Sequence, residues 1–270
     1  MGSLEKIAAN LTLIKQKQPL VHHITNYVTV NDCANITLAI GASPVMADDI
    51  AEVEAMVEFA SALVLNLGTL NARTIDSMLA AGKKAVGKGL PVVLDPVGIG
   101  ATRLRTAVAE QIVREVRPTV IRGNMSEMKF LAGLNVAIKG VDSVADEQDG
   151  EAIAKTLAQK LDCVIAITGR QDIITDGKNT ILVNNGHAML SQVTGTGCMT
   201  TSLVASYCAA GQDWLVGTAA GIATMGLAGE TAQKSLSETE GIGTFRARLF
   251  DAVYRLTPEI LLKQGRIADV

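Results

Sequence analysis

Short aliphatic runs alternate with helical segments along most of this chain and predict its secondary structure. Five of the runs are continuously apolar, as expected for parallel strands that helices cover on both faces. They span residues 20–24, 62–67, 91–94, 119–122 and 164–168. Three later runs are shorter and contain polar residues: 173–175, 180–183 and 187–190. Turn-forming residues at 176–177 and 184–186 separate them, so we predict an antiparallel meander beside the main sheet.

Residues that favour helix ends divide the segments between the strands. Asp49, with Glu52 three positions later, predicts a capped helix that extends to about residue 61. Asn71 predicts the start of another helix, which ends before a glycine and a proline near residue 90. Further helices are predicted towards the C-terminus, over residues 200–210, 214–235 and 246–263.

This order of elements predicts the α/β fold class. Strands that alternate with helices form mainly parallel sheets, which helices cover on both faces in a doubly wound arrangement. No linker, repeat or low-complexity segment divides the chain, so we expect one domain over residues 1–270 with a helical C-terminal region. Ligands of such sheets bind beyond the carboxyl ends of the strands, so functional residues are expected directly after each strand.

Composition and charge argue against several functional classes. Of the 270 residues 48% are hydrophobic and only 3% are aromatic, so the core must consist mainly of aliphatic side chains. A net charge of −3 gives no reason to expect binding to nucleic acid or to anionic membranes. The N-terminal residues lack the apolar segment of a secretory signal. The apolar stretch 215–229 is too short to span a membrane and predicts a closely packed buried helix.

The cysteines are widely scattered along the chain, at Cys33, Cys163, Cys198 and Cys208. They show neither C-x-x-C spacing nor a nearby pair of histidines, which argues against a zinc site and a disulfide framework. We therefore expect a reduced protein in the cytoplasm.

A glycine-containing turn, VTGTGCM at 193–199, lies directly before a long helical run. Gly195 and Gly197 allow the backbone to turn so that consecutive N–H groups point towards one anion at the helix N-terminus. The turn is either a phosphate-binding loop or an ordinary strand-to-helix connection. Cys198 falls in the first helical turn, where we expect a lowered thiol pKa. It either deprotonates an attacking alcohol or fills space in a packed turn.

Acidic and basic residues follow two of the predicted strands. Asn124 and Glu127 have the spacing of a helix cap with its reciprocal carboxylate, but Glu127 could equally serve Mg²⁺ while Arg122 contacts a nucleotide. Asp95 follows another buried strand and either caps its loop or binds Mg²⁺. Thr168 ends a further strand, where its hydroxyl would meet phosphate or ribose or would simply form a turn.

Two adjacent histidines, His22 and His23, lie on the first predicted strand. Side chains of neighbouring strand residues point to opposite faces, so these two cannot easily bind one metal and are expected to be structural. The sequence shows no Ser–His–Asp arrangement and no Walker A lysine motif.

Seven segments together resemble the hydroxyethylthiazole kinases, a family of ribokinase-like enzymes, along nearly the whole chain. The segments are VHHITN (21–26), GASPVMA (41–47), LNLGT (65–69), LDPVG (94–98), IRGNMSE (121–127), AITG (166–169) and VTGTGC (193–198). The last two are similar to many ribokinase-like enzymes. The first three, above all SPVM at 43–46, indicate the thiazole kinases.

The resemblance implies ATP-dependent phosphorylation of 4-methyl-5-(2-hydroxyethyl)thiazole in thiamine biosynthesis, by a Mg²⁺-dependent homotrimer with its active sites at subunit interfaces. Carried over position by position, it implies these thiazole-binding residues: Asn26, Met46, Gly68 and Gly195. Arg122 and Thr168 would contact ATP, and Asp95 and Glu127 would serve the metal and the phosphates. An anion hole would be formed by Gly195, Thr196, Gly197 and Cys198, with Cys198 nearest the attacking hydroxyl.

One departure concerns Cys198, because most ribokinase-like kinases have an aspartate at this position, while some thiazole kinases resemble this chain in having cysteine. Alternatives within the superfamily are a hydroxymethylpyrimidine or pyridoxal kinase and a hydrate dehydratase, which lack the segment at 43–46. An alternative of another class is a non-catalytic nucleotide-binding regulator. Tight ATP binding without acceptor-dependent turnover would indicate the latter.

Overall fold

The computed structural model describes residues 2–135 and 150–270. Its strands are β1 (Leu20–Ile24), β2 (Ser43–Val45), β3 (Ala62–Asn66), β4 (Val92–Asp95), β5 (Val120–Asn124), β6 (Val164–Thr168), β7 (Asp172–Thr175), β8 (Thr180–Val183) and β9 (Ile267–Asp269). Its helices are α1 (Ser3–Lys17), α2 (Val30–Ile40), α3 (Val53–Phe59), α4 (Ala72–Gly87), α5 (Arg103–Glu115), α6 (Met125–Asn135), α7 (Gly150–Leu161), α8 (Thr196–Ala210), α9 (Trp214–Lys234), α10 (Ile242–Tyr254) and α11 (Pro258–Gln264). A short 3-10 helix covers Ala188–Gln192.

The strands form one sheet in the order β2-β1-β3-β4-β5-β6-β7-β8-β9. Strands β1 to β6 pair in parallel, whereas β7, β8 and β9 each run antiparallel to the preceding strand in this order. All five predicted parallel strands are present, and so are the first two strands of the meander. The α/β fold class with a mainly parallel sheet is therefore confirmed.

Alternate residues of the parallel strands supply two hydrophobic cores, one on each face of the sheet. In β3, Ala62 and Val64 pack with α1, α2, α8, α9 and α10. Leu63 and Leu65 pack on the opposite face with α3 to α7. Because both faces are covered, these strands contain continuous apolar runs, which is the pattern that predicted a doubly wound sheet.

Two predicted features of the helices are present. The Asn71 side chain accepts a hydrogen bond from Thr74 N and caps α4 in a capping box. In α9 a side chain at Gly221 would lie 2.5 Å from Val204 N of α8, so this glycine is required for the close approach of the two helices. Within the described residues, no helix is long and apolar enough to cross a membrane.

The prediction of a strand at 187–190 is wrong. His187 accepts a hydrogen bond from Met189 N and caps the 3-10 helix that follows. The place beside β8 is occupied instead by β9 from the C-terminal end of the chain. The short edge strands β2 and β9 were not predicted, because their residues are only half-buried or exposed and show no apolar run.

Two helix boundaries also differ from their predictions. Asp49 does not cap α3: its carboxylate accepts from Ala51 N in a local turn, and the helix begins only at Val53. The helix predicted over 246–263 is two helices, since Thr257 caps α11 with Pro258 in its first turn. The segment 241–245, for which the sequence left open a role in enclosing a nucleotide or in connecting two helices, forms the start of α10 and places Phe245 in the core.

Candidate active site

The polar residues that follow the parallel strands lie side by side at the carboxyl edge of the sheet. Asn26 follows β1, Asn66 and Asp95 end β3 and β4, and Arg122 and Thr168 lie in β5 and β6. Because β1, β3, β4, β5 and β6 are consecutive neighbours in the sheet, these side chains form one row. The carboxyl edge of the sheet, where the site was predicted, therefore contains the predicted Asp95, Arg122 and Thr168.

The turn that contains Gly195 closes over this row and begins α8. Gly195 has a φ of +92°, and a side chain there would lie 2.6 Å from Thr29 Cγ2. A side chain at Gly197 would lie 2.9 Å from Arg122 Nη1. Thr196 Oγ1 donates to Leu190 O over 2.8 Å and fixes the turn. The first N–H groups of α8 therefore face the row at the positive end of the helix dipole, as an anion site requires.

Cys198 contacts two amide groups of the row. Asn26 Nδ2 and Asn66 Nδ2 each donate a hydrogen bond to Cys198 Sγ over 3.3 Å. Burial of the thiol and the negative charge of Asp95 raise the pKa of Cys198, while hydrogen bonds with Thr29, Asn66 and Asn26 oppose the rise. The prediction of a lowered pKa is therefore wrong, because desolvation outweighs the helix N-terminus.

Asp95 is almost completely buried below the turn, with an exposure of 1%. Its Oδ2 accepts hydrogen bonds from Asn66 Nδ2 over 3.0 Å and from Thr201 Oγ1 over 2.8 Å, and Arg122 Nη1 lies 4.0 Å away. Burial raises the pKa of Asp95 to about 6; the charge of Arg122 opposes this rise and that of Glu127 adds to it. The raised pKa indicates that the partners of this buried carboxylate neutralise its negative charge only in part, so a cation would bind favourably beside it.

Glu127 forms the capping box that its spacing predicts. Its Oε2 accepts from Asn124 N over 2.9 Å, and Asn124 Oδ1 accepts from Glu127 N over 3.0 Å. Its Oε1 accepts from Gly98 N, in the loop that follows Asp95, over 3.0 Å. The cap places this carboxylate close enough to Asp95 for its charge to act on that residue.

A hard cation such as Mg²⁺ fits this pair of carboxylates. Residues 2–135 and 150–270 contain no group of three or more His, Cys, Asp and Glu side chains that could enclose a metal. Mg²⁺ does not need such a group, since it is usually held by one or two carboxylates together with water and phosphate oxygens. Asp95 and Glu127 supply that number of oxygen ligands.

Arg122 and Thr168 contact each other directly. Arg122 Nη2 donates to Thr168 Oγ1 over 2.7 Å, and the buried Nε atom of Arg122 has no hydrogen-bond partner among the described residues. Both residues line a cavity of about 630 Å³. Thr196 and Gly197 of the turn line it as well, as does Met225 of α9. The structure thus brings the two predicted ATP contacts and the predicted anion turn to one cavity.

Three of the four predicted thiazole-binding residues lie together on the other side of the turn. A side chain at Gly68 would lie 2.8 Å from Asn26 Cβ, and Asn26 Oδ1 accepts from the backbone N–H of Thr29, which packs against Gly195. Met46 directly follows β2, which is the sheet neighbour of β1. The chain places it next to Ala47, whose carbonyl is 2.6 Å from His22 Nε2.

Both adjacent histidines are buried and bonded within the protein, as predicted. His22 contacts the carbonyl of Ala47, and His23 Nε2 lies 3.1 Å from Ser202 Oγ of α8. Burial lowers the pKa of His23 to about 4. His22 connects β1 to the loop after β2, and His23 connects β1 to α8. The two contacts hold these elements in place around the site.

Two site residues escaped the sequence analysis. Asn66 bonds to Asp95 and to Cys198, although it showed only as part of the LNLGT segment. Arg105 donates hydrogen bonds of 2.6–2.7 Å to the carbonyls of Leu67, Gly68 and Val97 and so joins the loops after β3 and β4. No local pattern marks Arg105, because all its partners are distant in sequence.

Comparisons with known proteins place these features in a family. Residues 11–259 match the sequence profile of the Hydroxyethylthiazole kinase family. The chain is 54% identical over 261 residues to a hydroxyethylthiazole kinase of Alkaliphilus oremlandii, and the alignment covers 96% of each chain. It is similar to the solved structure of a hydroxyethylthiazole kinase from Pyrococcus horikoshii, with a TM-score of 0.90, 35% identity and coverage of 98% and 99% of the two chains.

A more distant match concerns the fold alone. A ribokinase-like superfamily protein from Enterococcus faecalis aligns with a TM-score of 0.65 at 13% identity and covers 90% of this chain and 89% of its own. The chain therefore has the ribokinase-like fold.

Proposed function

Because the chain belongs to the hydroxyethylthiazole kinase family, we propose that it transfers the γ-phosphoryl group of ATP to the hydroxyl of 4-methyl-5-(2-hydroxyethyl)thiazole, a step of thiamine biosynthesis. The observation that carries this proposal is the turn at Gly195–Cys198, which separates a cavity lined by Arg122 and Thr168 from a group formed by Asn26, Gly68 and Cys198. In a phosphoryl transfer the attacking and leaving oxygens are roughly in line, so we assign these residues to the donor, the phosphoryl group and the acceptor.

ATP is assigned to the cavity of about 630 Å³. Arg122 lies at its wall with Nη1 facing Gly197 of the turn, so its guanidinium is assigned to the phosphates. The N–H groups of Thr196 and Gly197 lie at the same wall and would bind the phosphate that is transferred. Thr168 holds the guanidinium in place and contributes its hydroxyl to the cavity.

The acceptor alcohol is assigned to the opposite side of the turn, beside Asn26, Gly68, Gly195 and Cys198, with Met46 against the thiazole ring. Cys198 would lie nearest the attacking hydroxyl. Its raised pKa keeps the thiol protonated at neutral pH, so Cys198 serves to orient the hydroxyl. The hydroxyl proton would pass to a phosphate oxygen or to water as the oxygen–phosphorus bond forms, because a loose phosphoryl-transfer transition state requires little from a base.

Mg²⁺ is assigned to Asp95 and Glu127, either directly or through its water molecules. When bound, the ion neutralises negative charge on the phosphates of ATP. Arg122 lies 4.0 Å from Asp95 and would keep that carboxylate oriented towards the phosphates. Asn66 of β3 and Thr201 of α8 hold the same carboxylate through hydrogen bonds.

We further infer that the chain is one kinase domain over residues 1–270 and assembles as a homotrimer with its active sites at the subunit interfaces. Large apolar side chains are exposed next to the acceptor site: Tyr27 is 77% exposed and Val28 58% exposed, directly after Asn26. Burial against a second copy would remove this surface from water. Sedimentation equilibrium, with three times the chain mass expected and the mass of one chain as the contrary result, tests the assembly.

The cytoplasm is the proposed compartment, because all four cysteines are free thiols. The catalytic proposal itself is tested by incubating the purified protein with Mg·ATP and the thiazole alcohol and measuring the phosphorylated product by mass spectrometry. Hydroxymethylpyrimidine and pyridoxal serve as the competing acceptors. Thiazole phosphate as the dominant product supports the proposal over the other vitamin kinases.

A further inference from the structure

Asn66 ends β3 between Asn26, which follows β1, and its register partner Asp95 in β4. It is only 2% exposed, so each polar atom of its amide needs a partner within the protein. The oxygen accepts from Gly68 N and from Asn26 Nδ2, each over 2.9 Å. The nitrogen donates to Asp95 Oδ2 over 3.0 Å and to Cys198 Sγ over 3.3 Å. The full hydrogen-bonding capacity of the amide is therefore used.

The backbone fixes which way this amide faces. Gly68 N can only donate a hydrogen bond, so the group that it contacts must be the oxygen of Asn66. The nitrogen must then face Asp95 and Cys198. The same argument applies to Asn26, whose oxygen accepts from the backbone N–H of Thr29 over 3.1 Å.

Two N–H donors therefore point at Cys198 Sγ, one from the end of β3 and one from the segment after β1. The sulfur is an acceptor in both contacts, and the thiol hydrogen has to point away from both amides. Negative charge that develops on the sulfur would be stabilised by the same two donors.

We infer that Asn66 is a positioning residue of the transfer reaction: it holds Cys198 Sγ as a hydrogen-bond acceptor and directs the S–H bond away from the strand ends, towards the acceptor alcohol. The inference rests on the proposed function for the identity of the alcohol. The inference adds to the site a residue that acts through Cys198. The hydrogen bond from Asn66 to Asp95 also connects this network to the proposed metal site.

Asn66→Asp tests this role. The new carboxylate keeps an oxygen for Gly68 N and Asn26 Nδ2, so the loop after β3 keeps its anchor, but the amide donors to Cys198 and Asp95 are lost. The readout is the infrared S–H stretching band of Cys198, obtained as the difference between spectra of the protein and of Cys198→Ala. The buried thiols of Cys33, Cys163 and Cys208 cancel in this difference.

In Asn66→Asp the thiol is expected to donate to the new carboxylate, which moves the band to lower frequency. An unmoved band overturns the inference. If this variant does not fold, Asn26→Asp, which removes the second donor to the sulfur and keeps the acceptor for Thr29 N, must produce the shift instead. The measurement needs no substrate, so a shifted band in a protein that phosphorylates nothing would refute the proposed function and still show that Asn66 sets the orientation of the thiol.

The turnover number kcat provides a second test of the inference. Asn66→Asp should lower kcat by about tenfold in the natural chain, the loss expected for one hydrogen bond, and by a smaller factor in the Cys198→Ala background. Equal factors in both backgrounds would show that Asn66 does not act through Cys198 and would overturn the inference.

Discussion

Arg122 Nη2 donates a hydrogen bond to Thr168 Oγ1 over 2.7 Å, between the neighbouring parallel strands β5 and β6. This contact fixes a long, flexible side chain at the wall of the proposed ATP cavity, where its positive charge faces the anion turn. Because β5 and β6 are neighbours in the sheet, Thr168 can hold Arg122 at the place where the phosphoryl donor would bind.

Arg122→Ala should raise the KM for ATP roughly tenfold, because a charge-assisted hydrogen bond to phosphate is lost. Steady-state kinetics with ATP as the varied substrate measures the effect. Arg114→Ala is the matched control, since that side chain is 70% exposed at the end of α5 away from the site. An unchanged KM for ATP in Arg122→Ala would show that Arg122 has been assigned to the wrong ligand.

Cys198→Ala should slow turnover but leave measurable activity, because positioning and charge neutralisation supply most of the catalysis in phosphoryl transfer. Cys198→Asp should remain competent. A carboxylate accepts hydrogen bonds from Asn26 and Asn66 as the sulfur does, and it is ionised at neutral pH. The measurement is kcat for both variants, together with the binding of both substrates. An Asp variant that binds both substrates but has no turnover would argue against a role of the side chain at position 198 in the transfer.

Metal removal provides a separate test. Chelation of Mg²⁺ should abolish the reaction, and Asp95→Asn and Glu127→Gln should each raise the Mg²⁺ concentration that gives half the maximal rate. The control is Glu58→Gln, whose carboxylate instead pairs with Lys84 and Lys88 on the surface. Should both variants show the Mg²⁺ dependence of the control, these carboxylates do not serve the metal.

The buried His23 should make stability depend on pH. An unfolded histidine takes up a proton near pH 6.5, whereas burial lowers the pKa of His23 in the folded protein to about 4. Between these values the unfolded state binds the extra proton, so the free energy of unfolding falls as the pH is lowered. The contribution is about 1.4 kcal/mol per pH unit. Urea unfolding of the protein and of His23→Asn at pH 6.5, 5.5 and 4.5 measures it, and equal slopes would contradict it.

Much of the fold could be predicted because the parallel strands are covered on both faces, which leaves continuous apolar runs such as the one in β3. The rule that ligands bind at the carboxyl ends of parallel strands then brought Asp95, Arg122 and Thr168 into one row before any distance was known. Identification of the family came from the segments at 21–26, 41–47 and 65–69, and the comparisons confirm it.

The remaining features depend on partners that are distant in sequence. The pKa of Cys198 rises because burial and Asp95 act on it through the fold, while only the favourable helix N-terminus is visible locally. The bonds that Asn66 and Arg105 form join different strands, so neither residue has a local signature. The pattern of residues 187–190 predicted a strand, but His187 caps a 3-10 helix that covers Ala188–Gln192.

The most direct test of the central claim is the acceptor competition with purified protein, Mg·ATP and equal concentrations of hydroxyethylthiazole, hydroxymethylpyrimidine and pyridoxal, followed by mass spectrometry over time. The account predicts that thiazole phosphate forms far faster than the other two phosphates. Preferred phosphorylation of another acceptor, or ATP binding with no phosphorylation of any of them, would contradict the proposed function.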